Sequence, residues 1–179
     1  MKKFLMYLLL TLLVIFSLSL AQEAKKPKSV KVLGNFEEPV IYQAPQNWYI
    51  VIDASSPAEA EEYGCKKGVF YIIINNVGTN FWHIQFGTHT PLKKNTKYVL
   101  KFDASSTKER DIQVRAIVNQ APWPIIDKTV FNLTPEMKTY TWEFTLKDDA
   151  TTIVFDFGKI SDKSVPSTII LDNVILEEY

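Results

Sequence analysis

The chain is 179 residues long and balances 20 Lys+Arg against 20 Asp+Glu, with 46% apolar residues, four Trp, eight Tyr, eleven Phe and a single Cys. That is one domain's length with enough apolar surface for a packed core, and the even charge offers no basic footprint for a nucleic-acid backbone. At 22% charged residues the composition also excludes disorder, collagen and a disulfide-stapled miniprotein.

The chain opens on Met1-Lys2-Lys3, followed by an apolar run from Phe4 to Leu20 broken only by Thr11, Ser17 and Ser19. Small residues at Ser19 and Ala21 complete the pattern of a secretory signal peptide over residues 1–21, the alternative being an uncleaved anchor. No cysteine stands at the cleavage point, which argues against a lipoprotein. Residues 22–30, with Lys25, Lys26, Pro27 and Lys28, have no apolar period and read as a flexible lead-in to one domain over 31–179. In an exported chain Cys65 has no partner for a disulfide, and burial as a thiol is the expectation.

From Val30 onward short segments alternate apolar and polar residues with period two. Strands are expected at Trp48 to Asp53, Val69 to Asn75, Phe81 to Phe86, Tyr98 to Ala104 and Ile112 to Val118. Others follow at Lys128 to Leu133, Tyr140 to Leu146, Thr152 to Phe157 and Thr168 to Leu176, with turns at 75–78, 93–96 and 146–149. Helix-start chemistry occurs at Ser56-Pro57-Ala58-Glu59, where Gly64 would stop a helix within two turns. About ten antiparallel strands with one apolar face each predict an all-β fold, a two-sheet β-sandwich of jelly-roll type.

In a sandwich the outer faces are wet, so strand phase nominates the residues with chemistry to offer. Phase sends Trp82, Ile84 and Phe86 to the core and His83 and Gln85 outward. It sends Gln113, Arg115 and Asn119 outward from the next candidate strand, and Thr152, Val154 and Asp156 outward from a third. One face carrying amide, guanidinium, imidazole and carboxylate groups together suits a hydroxyl-rich ligand. Trp123 lies in Gln120-Ala-Pro-Trp-Pro124, where no apolar alternation would bury the ring, and it is a candidate stacking platform. Trp48, Trp82 and Trp142 lie on apolar faces and are expected in the core.

Gly34-Asn35-Phe36-Glu37, Trp48, Gly78-Thr-Asn-Phe-Trp-His-Ile-Gln-Phe86, Tyr98-x-Leu-x-Phe-x-Ala104, Arg110-x-Ile-x-Val-Arg-Ala116, Ala121-Pro-Trp123 and Ile170-Leu-Asp-Asn-Val-x-Leu176 stand in one order. That order resembles carbohydrate-binding modules of families 4 and 9 over roughly residues 32 to 178. The resemblance implies a galactose-binding-domain-like jelly roll that holds one β-linked chain of glucan, xylan or mannan, plant or algal in type, in a cleft across a concave sheet, without catalysis. It assigns the cleft arginine to Arg115 and the aromatic after Ala-Pro to Trp123. Late-strand polar positions fall to Thr152 and Asp156 before Gly158, outward positions to His83 and Gln85, and an early stacking aromatic to Tyr49 or Val51. It also implies a structural Ca²⁺ held by Glu37 and Asp172, oxygen ligands that suit a hard cation; the alternative is that the two carboxylates cap strand ends. With His83 and His89 the only histidines and a single Cys, zinc ligation is disfavoured.

Rival classes remain. No Gly-x-Ser-x-Gly, His-Glu-x-x-His or phosphate loop occurs, and Asp156 is the only carboxylate among the outward cleft candidates, where a glycoside hydrolase needs two. A surface adhesin or assembly subunit with a protein partner is the other alternative.

Overall fold

The protein was analysed as a computed structural model that describes residues 26–179, so the expected signal peptide lies outside the described residues. Twelve strands run through them: β1 (Ser29–Gly34), β2 (Val40–Ile41), β3 (Trp48–Ile52), β4 (Glu59–Lys66), β5 (Val69–Asn76), β6 (Ile84–Leu92), β7 (Lys97–Ser106), β8 (Arg110–Ile117), β9 (Ile125–Leu133), β10 (Lys138–Thr145), β11 (Ala150–Asp156) and β12 (Ser167–Glu178). A seven-stranded sheet has the order β10-β7-β12-β5-β4-β2 with β1 added beside β12, and a five-stranded sheet has the order β3-β6-β11-β8-β9. All pairings are antiparallel. No described helix is long and apolar enough to cross a membrane.

The expected alternation carries most of this. Tyr140, Trp142 and Phe144 of β10 pair with Phe102, Leu100 and Tyr98 of β7, and Phe102, Leu100, Trp142 and Phe144 are buried between the sheets. Ile153, Phe155 and Phe157 do the same for the opposite sheet. Where the two layers meet, Trp48 stacks on Phe86 with ring centroids 4.2 Å apart, and Phe86 stacks on Phe70. Burying each of these large rings contributes about 1.5–3 kcal/mol, so this aromatic column is a main source of cohesion. Cys65 is buried and unpaired as expected, and burial pushes its thiol up to about 11, which keeps it an unreactive apolar filler at neutral pH.

Two elements differ from expectation. The Ser56-Pro57 signal makes only a turn: Ser56 Oγ accepts from the Ala58 N–H, two residues on, and the chain then extends as β4. Tertiary pairing overrides the local helix signal here, because β4 fills the gap between β5 and β2 and buries Cys65 opposite Phe70. The other is β1, which starts at Ser29 within the expected lead-in; Ser29 and Val30 pair with Glu178 and Glu177.

Candidate functional site

The face of the five-stranded sheet that points away from the core forms an open trough of about 810 Å³. Tyr49 and Val51 of β3, Gln85 of β6, Arg115 and Ile117 of β8, Ile125 of β9, and Asn119 and Trp123 of the β8–β9 loop line it. Asp53, Ser55, Phe81 and Trp82 complete the lining. Five nominated residues, Tyr49, Gln85, Arg115, Asn119 and Trp123, therefore come together from three separated stretches of chain.

Strand phase explains the floor. Trp48, Ile50 and Ile52 of β3 face the core side, so Tyr49 and Val51 both line the trough, and of the two positions only Tyr49 carries an aromatic ring. Tyr49 lies opposite Gly87 of β6, where a Cβ would sit 2.4 Å from the ring. Glycine at that position lets the tyrosine lie against the sheet backbone. Burial pushes its hydroxyl up to about 12, so it stays a neutral donor.

The polar centre is a closed unit. Arg115 donates from Nε to Asp156 Oδ2 at 2.5 Å and from Nη2 to Oδ1 at 2.7 Å, and Gln113 Nε2 adds a bond to Oδ2 at 3.0 Å. The guanidinium also lies 5.0 Å from the Phe81 ring centroid. Asp156 thus sits beneath Arg115, fully buried, rather than facing a ligand as expected: its role is to orient the arginine. Burial raises its carboxyl above the ordinary range, while Arg115 and Gln113 pull the other way. Arg115 is likewise buried.

Two further expectations need correction, and both trace to one local feature. Phe81–His83 is a single 3-10 turn rather than the start of a strand, so alternation shifts by one residue before β6 begins. His83 turns inward and is buried, with Nδ1 accepting from the Thr79 N–H and Nε2 3.8 Å from Asp53 Oδ2. Trp82, expected in the core, is 42% exposed and lines the trough, its ring edge-on to His83. The turn is held by Gly158, whose missing side chain admits the Asn80 carbonyl: a Cβ there would lie 2.3 Å from that oxygen. His83 is therefore packed behind Trp82 and lies outside the trough lining. Thr152, another nominated residue, is also buried outside the trough lining, its Oγ1 3.1 Å from His89 Nδ1.

Trp123 is 59% exposed at the loop apex. Its N–H donates to the Gln120 carbonyl, and Val118 N–H to the Pro124 carbonyl, closing the loop at its base. Two open indole rings, a neutral hydrogen-bonding centre and apolar walls from Val51, Ile117 and Ile125 make a site for a ligand with flat apolar faces and a hydroxyl rim.

Comparison with known proteins decides the family: a model described as a carbohydrate binding domain matches residues 29–163. The chain belongs to the carbohydrate-binding modules. The module is similar to a solved structure described as "CBM4 structure and function", at 31% identity and TM-score 0.71, covering 82% of this chain and 97% of that one. It shares its fold with the N-terminal cellulose-binding domain of Cellulomonas fimi β-1,4-glucanase C, at 18% identity and TM-score 0.59, over 76% of this chain and 91% of that one. A third structure, the apo form of the CBM1 module of BiXyn10A, matches at 12% identity and TM-score 0.59 over 86% and 98% of the two chains. No curated protein matches the chain significantly. The jelly-roll sandwich expected from the alternation is thus the module's fold.

The module's two nominated metal ligands lie away from the trough. Asp172 Oδ1 is buried and accepts no hydrogen bond. Its carboxyl is raised, first by burial, then by the negative charges of Asp103 and Glu37 nearby. Among the described residues no group of three or more His, Cys, Asp or Glu side chains is arranged to hold a metal, so any ion here would draw on backbone carbonyls as well.

Proposed function

We propose that the module is a secreted, non-catalytic polysaccharide binder that lays a single β-linked chain, a glucan, xylan or mannan, along the trough. The observation that carries this reading is the pair of exposed tryptophans, Trp82 and Trp123, lining one open trough whose centre is the Arg115–Asp156–Gln113 unit. A pyranose presents axial C–H bonds to an indole face and a rim of hydroxyls to planar donors and acceptors. Gln85, Asn119 and Tyr49 supply those groups beside the rings. The trough's carboxylates are poorly suited to hydrolysis: Asp156 is sealed under Arg115, and hydrogen bonds from Ser55 hold Asp53 below the usual carboxylate range, so it stays ionised and has no proton to give as a general acid.

Glu37 and Asp172 fit a structural Ca²⁺, because the orphaned Asp172 Oδ1 is a buried acceptor that a hard cation would satisfy. Its effect would be to tie the start of the sandwich to its last strand. The test is affinity electrophoresis against laminarin, mixed-linkage β-glucan, glucomannan and xylan, with and without chelator. Retardation by at least one, with no turnover, is expected; hydrolysis of any would overturn the non-catalytic reading.

A further inference from the structure

Tyr49 borders two cavities. Beyond the trough it also lines a second hollow of about 500 Å³, shared with Lys31 of β1, Asn47, and Thr88 and His89 of β6. The two hollows therefore adjoin at the tyrosine, the second reaching Lys31 of β1.

The two lobes differ in charge. In the trough the guanidinium is matched by Asp156 in a bidentate pair. The lining of the second hollow holds a lysine and a histidine and no carboxylate; Glu37 and Glu38 line an adjoining cavity that shares Val32, Leu33, Asn47 and Trp48 with it. Lys31 Nζ donates to Thr90 Oγ1 at 3.1 Å and makes no salt bridge among the described residues. His89 has Nδ1 beside Thr152 Oγ1 and its ring 5.7 Å from that of Tyr49, while Nε2 has no partner among the described residues. Two of the surrounding polar groups are already used: Thr88 Oγ1 donates to the Asn47 carbonyl and Trp48 Nε1 to the Leu33 carbonyl. Hydrogen-bonding capacity is left on the two basic side chains, and an ammonium offers three donors of which the threonine takes one.

We propose that this lobe seats an anionic substituent, a carboxylate or a sulfate ester, borne by the polysaccharide that occupies the trough. The proposal rests on the reading of the trough as a polysaccharide site. Tyr49 would carry the sugar between lobes, and Lys31 would make a charge-assisted hydrogen bond to the substituent, with His89 beside it.

The test is calorimetric titration of wild type, Lys31→Met and His89→Gln with matched pairs. These are glucuronoxylan against its carboxyl-reduced form, and laminarin and mixed-linkage β-glucan against their sulfated forms. Wild type is expected to bind the charged member of at least one pair about tenfold more tightly at low salt, with the advantage shrinking as salt rises. Lys31→Met should abolish that advantage and leave affinity for the neutral member within about twofold, since this edge-strand ammonium makes no ion pair; His89→Gln should reduce it in part. A preference in the uronic pair alone or in the sulfated pairs alone supports the proposal and names the substituent. Equal affinities within every pair, or a preference that survives Lys31→Met, overturns it. Retention of neutral chains without charge preference refutes this proposal alone, whereas failure to bind any member of the panel refutes the trough reading as well.

Discussion

Replacing Trp123 by alanine removes a ring that the fold hardly uses. The side chain is 59% exposed, so of roughly 250 Å² of tryptophan surface about 150 Å² is open to a ligand, and one face, about 75 Å², would be covered by a stacked pyranose. At about 25 cal/mol per Å² the lost contact is worth about 2 kcal/mol, which converts to a roughly 25-fold weaker Kd. Because the loop is closed by backbone hydrogen bonds from Trp123 N–H and Val118 N–H, which alanine retains, the melting temperature should move by no more than about 2 °C. Affinity electrophoresis on the best-retained polysaccharide, paired with a thermal melt, reads both quantities. Unchanged retention by a folded Trp123→Ala protein would refute the trough as the binding face.

Other outcomes follow from the same geometry. Trp82→Ala, at 42% exposure, should weaken binding by about tenfold on the same area argument; an unfolded variant would instead support the core position first expected for that ring. Asp156→Asn breaks the charge pair while keeping its shape and so frees Arg115 from its bidentate partner, and loss of retention by a still-folded protein is expected in the same affinity assay. Acidification separates binding from stability: since burial raises Asp156, its contribution to folding favours low pH and is lost as pH rises through the raised value. Yet protonation releases Arg115, so retention should fall in mildly acid buffer, above the ordinary carboxylate pKa of about 4, before the fold is lost; retention flat down to that value would contradict the proposed role of the pair. Chelation should lower the melting temperature and Ca²⁺ restore it, with Glu37→Gln insensitive to both; a melt unaffected by chelator would remove the calcium proposal.

Much of this was legible in the chain. Period-two alternation between Trp48 and Leu176 reported most of the strands because each is apolar on one face, and strand phase was enough to send Gln85 and Arg115 outward, whereas Tyr49 entered only through the family resemblance, as an alternative to Val51. Trp123 stood out since its loop has no alternation to bury it. The failures cluster where one residue of backbone geometry changes the phase. The 3-10 turn at Phe81–His83 exchanges the roles of Trp82 and His83, and its cause is remote: Gly158 admits the Asn80 carbonyl from across the sheet. Nothing local to the Trp-His pair carries that information.

By itself, then, the sequence determined the all-β class, the balanced charge, and the residue types that could meet a sugar. Tertiary structure decided which of those types are free to do so. Pairing is nonlocal, so only the assembled sheet shows that Asp156 is spent on Arg115, that Thr152 is tied to His89 and buried, and that Trp82 joins Trp123 in the trough. The same assembly brings Lys31, which nothing in the sequence singles out, and His89 to the lining of one hollow that Tyr49 also borders. An opening inventory of four tryptophans thus divides into two that hold the sandwich together and two that stay open to a ligand, a division set by burial and invisible to composition.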